Sequence, residues 1–344
     1  MKIDFPEITR VSHSRIKTWR RCQMQHHYKY YQGLQSRSKA RPLEMGSLLH
    51  NMIEAHHETG SYLTVWKKYK AEYDKLFQEE QLDLGDIPAE ALSIVRRYFS
   101  HYKNDKLSYP ARRRGKNTEL RVQVPIGNNI EFLGLIDAMP EDDQGRVWYM
   151  DHKSHKHIPN EEVRFSDLQL LIYTWLAPQL GYPTADGIIW DYLRTKAPIV
   201  PEVLKAGGIS KNKNIDTTYD VYMETVISKL GPNKAVEYEE FAQTLKGKED
   251  SFFKRVYLPA PKQVMVKAIV EDITVSAQEI AIRGPESRVR NMTRDCSWCS
   301  YYNLCQAEVR GLDIEHIIST DFTTKEQRDA KEKAKQSHPK TGSR

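Results

Sequence analysis

The chain has 344 residues, of which 39% are hydrophobic and 28% charged, with a net charge of +6. That length accommodates one large or two small domains, while no stretch approaches the roughly 20 apolar residues that span a bilayer. The start, from Met1 to Glu7, has no hydrophobic signal core, so the expectation is a soluble cytoplasmic protein, in the host's cytoplasm if a virus encodes it. A modest positive excess suits an anionic partner without requiring one.

In chain order, residues 11–35 read as a helix that carries Cys22 into an aromatic, basic segment. Ser47, after Gly46, reads as the N-cap of a helix containing Leu48, Leu49, His50, Met52 and Ile53. From 61 to 110 the pattern stays helical, with Tyr62, Val65, Trp66, Tyr69, Tyr73 and Leu76 on one apolar face, as in an inserted helical layer. The run Arg112-Arg113-Arg114-Gly115-Lys116 is either a solvated charge cluster or a phosphate contact.

Period-two alternation begins at Glu119 and breaks at Gly127-Asn128-Asn129. A second strand from Glu131 to Asp137, a turn at Glu141–Gly145 and a third strand from Arg146 to Lys153 predict a three-strand meander. A helix from Ser166 to Leu176 and a strand from Asp186 to Arg194 then give an α/β fold, a mixed central sheet flanked by helices. Residues 200–250 read as a polar loop leading into a helical insertion, and 251–283 as amphipathic helix. From Thr323 the chain is almost wholly charged or small, predicting a disordered tail or a lone frayed helix.

Two acids on adjacent strands carry the chemistry. Asp137 ends one strand, and Asp151-His152-Lys153 ends its neighbour, so both carboxylates could share a hard cation such as Mg²⁺ or Mn²⁺. The His152 carbonyl offers a further oxygen, and Lys153, two residues after Asp151, shares its face of the strand. Hydrolysing a phosphodiester needs these parts: a nucleophilic water, charge neutralisation at the phosphate, and stabilisation of the departing alkoxide. An isolated Asp-x-Lys is more often a surface ion pair. Here the apolar run Val147–Met150 leads into it, placing charge at the end of a buried strand.

Gln169 and Tyr173 lie at i and i+4, on one helical face, where they either support that centre or serve as a cap and a packed aromatic. His50 is either a core histidine or an imidazole ligand, and Glu119 either a surface charge or an outer carboxylate. The four cysteines, Cys22 and the C-x2-C-x5-C set of Cys296, Cys299 and Cys305, suit tetrahedral zinc or a [4Fe–4S] cluster, and spacing does not separate them. Tyr28, Tyr30, Tyr31 and Tyr192, with Arg194 and Lys196, are candidate contacts for a single strand.

Together, Ser12-x-Ser14 before Cys22, Gly46-x-x-x-His50, Gly134-x-x-Asp137, Asp151-x-Lys153, Gln169-x-x-x-Tyr173 and the clustered cysteines resemble the PD-(D/E)XK nuclease superfamily. They are most similar to its RecB-like, Cas4-type branch. The resemblance implies a restriction-endonuclease-like core in which His50, Asp137, Asp151 and the His152 carbonyl ligate Mg²⁺ or Mn²⁺. It makes Lys153 catalytic, with Gln169 and Tyr173 supporting it, and gives Cys22, Cys296, Cys299 and Cys305 to a structural [4Fe–4S] cluster joining the chain's ends. Residues 1–322 would then form one nuclease domain, with insertions at about 55–117 and 200–280 and a tail at 323–344.

The expected activity is exonucleolytic cleavage of linear or single-stranded DNA in recombination, replication or DNA processing, viral contexts included. The alternatives are a nonspecific endonuclease, or a DNA-binding or assembly subunit of a nuclease–helicase or spacer-acquisition complex. Protein partners are left open. Two departures stand out: Asp151 replaces the Glu of many relatives, and the chain is longer than compact members of the branch.

Overall fold

The computed structural model describes residues 8–37, 40–112, 118–127, 129–159 and 168–330. In chain order these form β1 (Thr9–Val11), α1 (His13–Arg21), α2 (Gln23–His26), a π-helical turn (His27–Tyr31), β2 (Gln35–Ser36), α3 (Arg41–Thr59), α4 (Leu63–Tyr73), α5 (Gln78–Leu84) and α6 (Ile87–His101). Then come β3 (Thr118–Gly127), β4 (Ile130–Ala138), β5 (Trp148–His155), α7 (Gln169–Leu176), β6 (Gly187–Arg194), α8 (Tyr219–Leu230) and α9 (Ala235–Gln243). The chain continues with β7 (Phe253–Pro259), α10 (Gln263–Arg283), a 3-10 turn (Arg294–Trp298), α11 (Tyr302–Val309), α12 (Glu315–Asp321) and β8 (Phe322–Thr323). The fold is mixed α/β, its strands paired both parallel and antiparallel and flanked by helices. Among the described residues no helix is long and apolar enough to cross a membrane.

Contacts divide the chain into two compact units: Met1–Lys39, Arg121–Gly134 and Lys262–Arg344 form the first, and Ala40–Leu120 and Leu135–Pro261 the second. In the second unit β5 runs parallel to β6 from Trp148 opposite Gly187 to His155 opposite Arg194. Strand β7 pairs antiparallel with β6, and the end of β4 pairs antiparallel with β5 at Ala138 and Met150. Both β5 and β6 begin in continuous apolar residues, as strands covered on both faces must, and both are buried over most of their length.

Helices α3 and α6 supply one cover. Met45, Leu48, Leu49, Met52 and Ile53, at helical spacing, pack with Ile87, Ala91, Ile94, Val95 and Tyr98 and with Leu193 and Phe253 of the sheet. The aromatic face from Tyr62 to Leu76 packs onto this cluster, as its periodicity predicts. A Cβ at Gly46 would come within 2.8 Å of Ser154 Oγ on β5, so a glycine lets α3 approach the strand closely. Helices α8 and α9 enclose a small core of their own around Tyr222, Val226, Phe241 and Leu245.

In the first unit β1 lies parallel to the start of β4, Thr9 opposite Ile130 and Val11 opposite Phe132. Ser12 caps α1 by accepting from the Arg15 N–H, and α1 is fastened to α10 by Trp19 Nε1 donating to Glu279 Oε2 at 3.1 Å and Arg20 Nε donating to Ser276 Oγ at 2.9 Å. Strand β2 pairs antiparallel with β8.

Several sequence expectations need correction. The helix expected over 11–35 is broken, because Cys22 is extended (φ −164°, ψ 116°) and ends α1. Ser47 is not an N-cap: α3 starts at Arg41, with a proline in its first turn, and Ser47 lies inside it. Residues 253–259, expected to be helical, form β7, and only Gln263–Arg283 is helix. The Pro259-Ala260-Pro261 break marks that boundary, and the β-type run Val256-Tyr257-Leu258 before it carries the strand signal. The other strands fall within a few residues of expectation. Arg113–Lys116, Asn128, Ser166 and the tail beyond 330 lie outside the described residues.

Candidate active site

The parallel pairing of β5 with β6 and the antiparallel end of β4 bring the acids together. Alternation along β5 sends Asp151 and Lys153 to one face and His152 to the other. Asp151 is buried and lies 2.8 Å from Lys153 Nζ. Lys153 Nζ donates to Gln169 Oε1 at 3.1 Å and sits 5.3 Å from the centre of the Trp190 ring, a cation–π contact. Gln169 Nε2 donates in turn to the Tyr173 hydroxyl at 3.2 Å, which also accepts from the Leu135 N–H at 3.2 Å. The chain of contacts runs from the carboxylate through the lysine and amide to the tyrosine, and returns to β4.

Asp137 Oδ2 accepts from the His152 N–H at 2.7 Å and lies 3.6 Å from His50 Nδ1. Burial, and after it the negative charge of Asp151, pushes the Asp137 pKa up to about 7, against the smaller opposing pull of His152 and Lys153. His50 goes the other way. Burial first, then the charges of His152 and Lys153, lower its pKa to about 4, although its ring hydrogen-bonds the His152 backbone. Tyr173 is pushed up to about 12, mainly by burial, and stays a neutral phenol.

The donor set thus contains a neutral imidazole, two carboxylates that repel one another, and a backbone carbonyl. Those are hard or borderline donors that suit Mg²⁺ or Mn²⁺, and a cation would relieve the raised Asp137 pKa. Among the described residues, no three His, Cys, Asp or Glu side chains already stand in an ion-enclosing arrangement. Asp151 is paired with Lys153 and Asp137 with the His152 N–H.

Sequence reasoning missed what lies on the other face of β5. His152 Nδ1 is 2.6 Å from Asp191 Oδ2, and Asp191 also accepts from the Tyr98 hydroxyl at 2.6 Å and from Arg255 Nε at 3.2 Å. Asp191 is fully buried and Arg255 nearly so. Burial opposes ionisation of Asp191, but Arg255 and His152 outweigh it and hold the carboxyl well below the usual carboxylate range. Burial likewise opposes a charge on His152, yet the hydrogen bond and charge of Asp191 raise its pKa. The signal in sequence was an aspartate interrupting the buried run Ile188-Ile189-Trp190-Asp191-Tyr192-Leu193.

Other candidates fare differently. Glu119 sits on β3 with a left-handed backbone (φ 49°), and the carboxylate that anchors the start of this strand is instead Glu58, accepting from the Thr118 N–H and hydroxyl at 2.8 and 2.7 Å. Tyr28 and Tyr192 are buried, and the Tyr28 hydroxyl donates to Glu308, so neither presents a face for base stacking. Arg194 forms a bidentate pair with Asp216, joined by Lys196, while Tyr31 remains partly exposed. Arg112 is engaged with Glu141 and the Met139 carbonyl.

In the first unit, Cys22, Cys296, Cys299 and Cys305 all line one small cavity of about 40 Å³, with Arg21 and Arg290 also in its wall. None is in a disulfide. Burial first, with Cys22 and Cys296 adding to it, raises the Cys299 pKa.

A mixed α/β fold with two acids and a lysine on the neighbouring strands β4 and β5 fits a class of hydrolytic enzyme. The sequence pattern of the PD-(D/E)XK nuclease superfamily matches residues 10–306, and the chain belongs to that superfamily. Membership implies metal-dependent nuclease activity, DNA as the substrate, and Mg²⁺ or Mn²⁺ as the usual metal. No curated protein matches the chain. A solved structure titled "Crystal structure of SSO0001" is 14% identical, with 75% of this chain and 84% of that one covered and a TM-score of 0.30.

Proposed function

We propose that this protein is a divalent-metal-dependent deoxyribonuclease of the exonuclease type, acting on linear or single-stranded DNA. The carrying observation is the unbroken set of contacts from Asp137 through the His152 N–H, and from Asp151 through Lys153 and Gln169 to Tyr173. In this reading His50, Asp137, Asp151 and the His152 carbonyl hold Mg²⁺ or Mn²⁺. When bound, the ion supplies a Lewis acid for the phosphate and lowers the pKa of a water.

Lys153, held between Asp151 and Gln169, contacts the attacking water or the scissile phosphate as a fixed positive charge. Gln169 and Tyr173 limit its freedom, so little reorganisation is needed when substrate arrives. In this reading the cysteines serve a structural metal group, a [4Fe–4S] cluster, and what supports it is that all four line one cavity. Zinc is the alternative at the same ligands.

Digestion of end-labelled linear DNA and of closed circular DNA with Mn²⁺ tests the proposal. Wild type should degrade the linear substrate and spare the circle, and Asp151→Asn or Lys153→Ala should lose about 10²–10³-fold in rate. Equal rates in all three proteins would reject the site, and cutting of the circle would reject the exonuclease assignment.

A further inference from the structure

His152, Asp191 and Arg255 stand in one row across three strands: His152 is opposite Asp191 in the β5–β6 register, and Asp191 is opposite Arg255 in the β6–β7 register. Tyr98 of α6 reaches the row from outside the sheet and bonds both Asp191 Oδ2, at 2.6 Å, and Arg255 Nη2, at 3.0 Å. Arg255 is further tied to Asp105 and the Tyr109 hydroxyl, and its guanidinium lies 3.8 Å from the Tyr102 ring centre. His57 stacks on Tyr109 with ring centres 3.7 Å apart and lies nearly parallel to the His152 ring.

Burying a charged aspartate and arginine this completely is no economical route to stability, since apolar residues of similar volume do as well or better. What such a network does supply is a fixed position for whatever it grips. Here it grips one side chain, His152, by its Nδ1. The backbone of that same residue faces the candidate centre: its N–H holds Asp137, and its backbone lies within hydrogen-bonding reach of the His50 ring.

We propose that Asp191, Arg255 and Tyr98 are positioning residues, which fix the His152 peptide so that its N–H aims Asp137 and its carbonyl faces the metal site from the opposite side of β5. The inference rests on the metal site proposed above. It also gives the helical layer a task, because α6 supplies Tyr98 and the segment after it supplies Asp105 and Tyr109.

The test compares full-length wild type, Asp191→Asn, Tyr98→Phe and Asp151→Asn by calorimetric titration with Mn²⁺, by steady-state cleavage of linear DNA, and by thermal melting. Working well below each melting temperature, Asp191→Asn should weaken Mn²⁺ binding about tenfold and lower kcat with KM for DNA unchanged. Tyr98→Phe, which removes one hydroxyl and leaves the Asp191–Arg255 pair intact, should show a smaller loss of the same kind. Should Asp191→Asn fail to fold, Tyr98→Phe carries the test alone. Wild-type Mn²⁺ affinity and kcat in the folded variants would overturn the positioning role, even if melting temperature falls. If Asp151→Asn abolishes Mn²⁺ binding while Asp191→Asn and Tyr98→Phe retain it, only this inference fails. If wild type itself binds no Mn²⁺, the metal site fails and takes the inference with it.

Discussion

The two proposed ligand sets of this protein are held in different ways. In the second unit each acid has a protein partner: Asp137 meets a backbone N–H, Asp151 meets Lys153, and the pairing of β4 with β5 sets their separation. In the first unit Cys22, Cys299 and Cys305 pack against the apolar cluster of Met24, Tyr28, Leu34 and Leu304, with Cys22 Sγ 4.0 Å from the Val289 carbonyl and Cys296 Sγ 3.8 Å from the Asn291 carbonyl. The carboxylates are therefore held by polar partners on paired strands, whereas Cys22, Cys299 and Cys305 sit among apolar side chains that a bound group, as proposed, would tie together. A metal should matter to chemistry in the first case and to folding in the second.

That contrast can be broken most forcefully at the cysteines. Cys299→Ser should lower the melting temperature by about 5 °C or more, whereas EDTA removal of Mg²⁺ or Mn²⁺ should stop cleavage and lower the melting temperature by less than the cysteine substitution does. Iron analysis sharpens the same point, with about four irons per chain and a brown protein expected for the cluster and a colourless zinc protein contradicting it. An unchanged melting temperature in Cys299→Ser would mean that packing of Met24, Tyr28, Leu34 and Leu304 suffices by itself.

A smaller effect is expected from the groups that hold Lys153. Gln169→Ala and Tyr173→Phe should each reduce kcat about tenfold, leaving stability nearly unchanged for Tyr173→Phe, whose ring stays in place. Wild-type kcat in both would show that Lys153 needs no second support.

The smallest effect is a pH dependence. In the metal-free fold the Asp137 pKa is raised, so between the ordinary carboxylate range and about pH 7 the folded state holds a proton that the unfolded chain has lost. Stability of the metal-free protein should therefore fall as pH rises through that window. Asp137→Asn should recover it by about 2 °C or more at pH 8 and do nothing at pH 4. Thermal melts across pH, without metal, read this directly, and a gain that is the same at both pH values would sever the link to Asp137.

Much of this was legible in the sequence, for definite reasons. Strands β3 to β6 announce themselves by alternation or continuous apolar runs, and Asp137 near the end of β4 and Asp151 and Lys153 within β5 stand out beside buried apolar residues, where unpaired charge is costly. The i, i+4 spacing of Gln169 and Tyr173 placed them correctly on one face. The start of α3 was hidden because Gly46-Ser47 resembles a helix boundary, when the glycine is needed for close approach to Ser154. Strand β7 was hidden inside a long run read as helix, and with it Arg255. The row of His152, Asp191 and Arg255 exists only through strand register, and no spacing along the chain encodes that pairing.

A crystal soaked in Mn²⁺ and measured for anomalous scattering bears most directly on the central claim. The proposed metal site predicts one strong peak bounded by the carboxylates of Asp137 and Asp151, the His50 ring and the His152 carbonyl, with Lys153 still against Gln169. A map with no peak there, and the two carboxylates still bound to Lys153 and the His152 N–H, would contradict it.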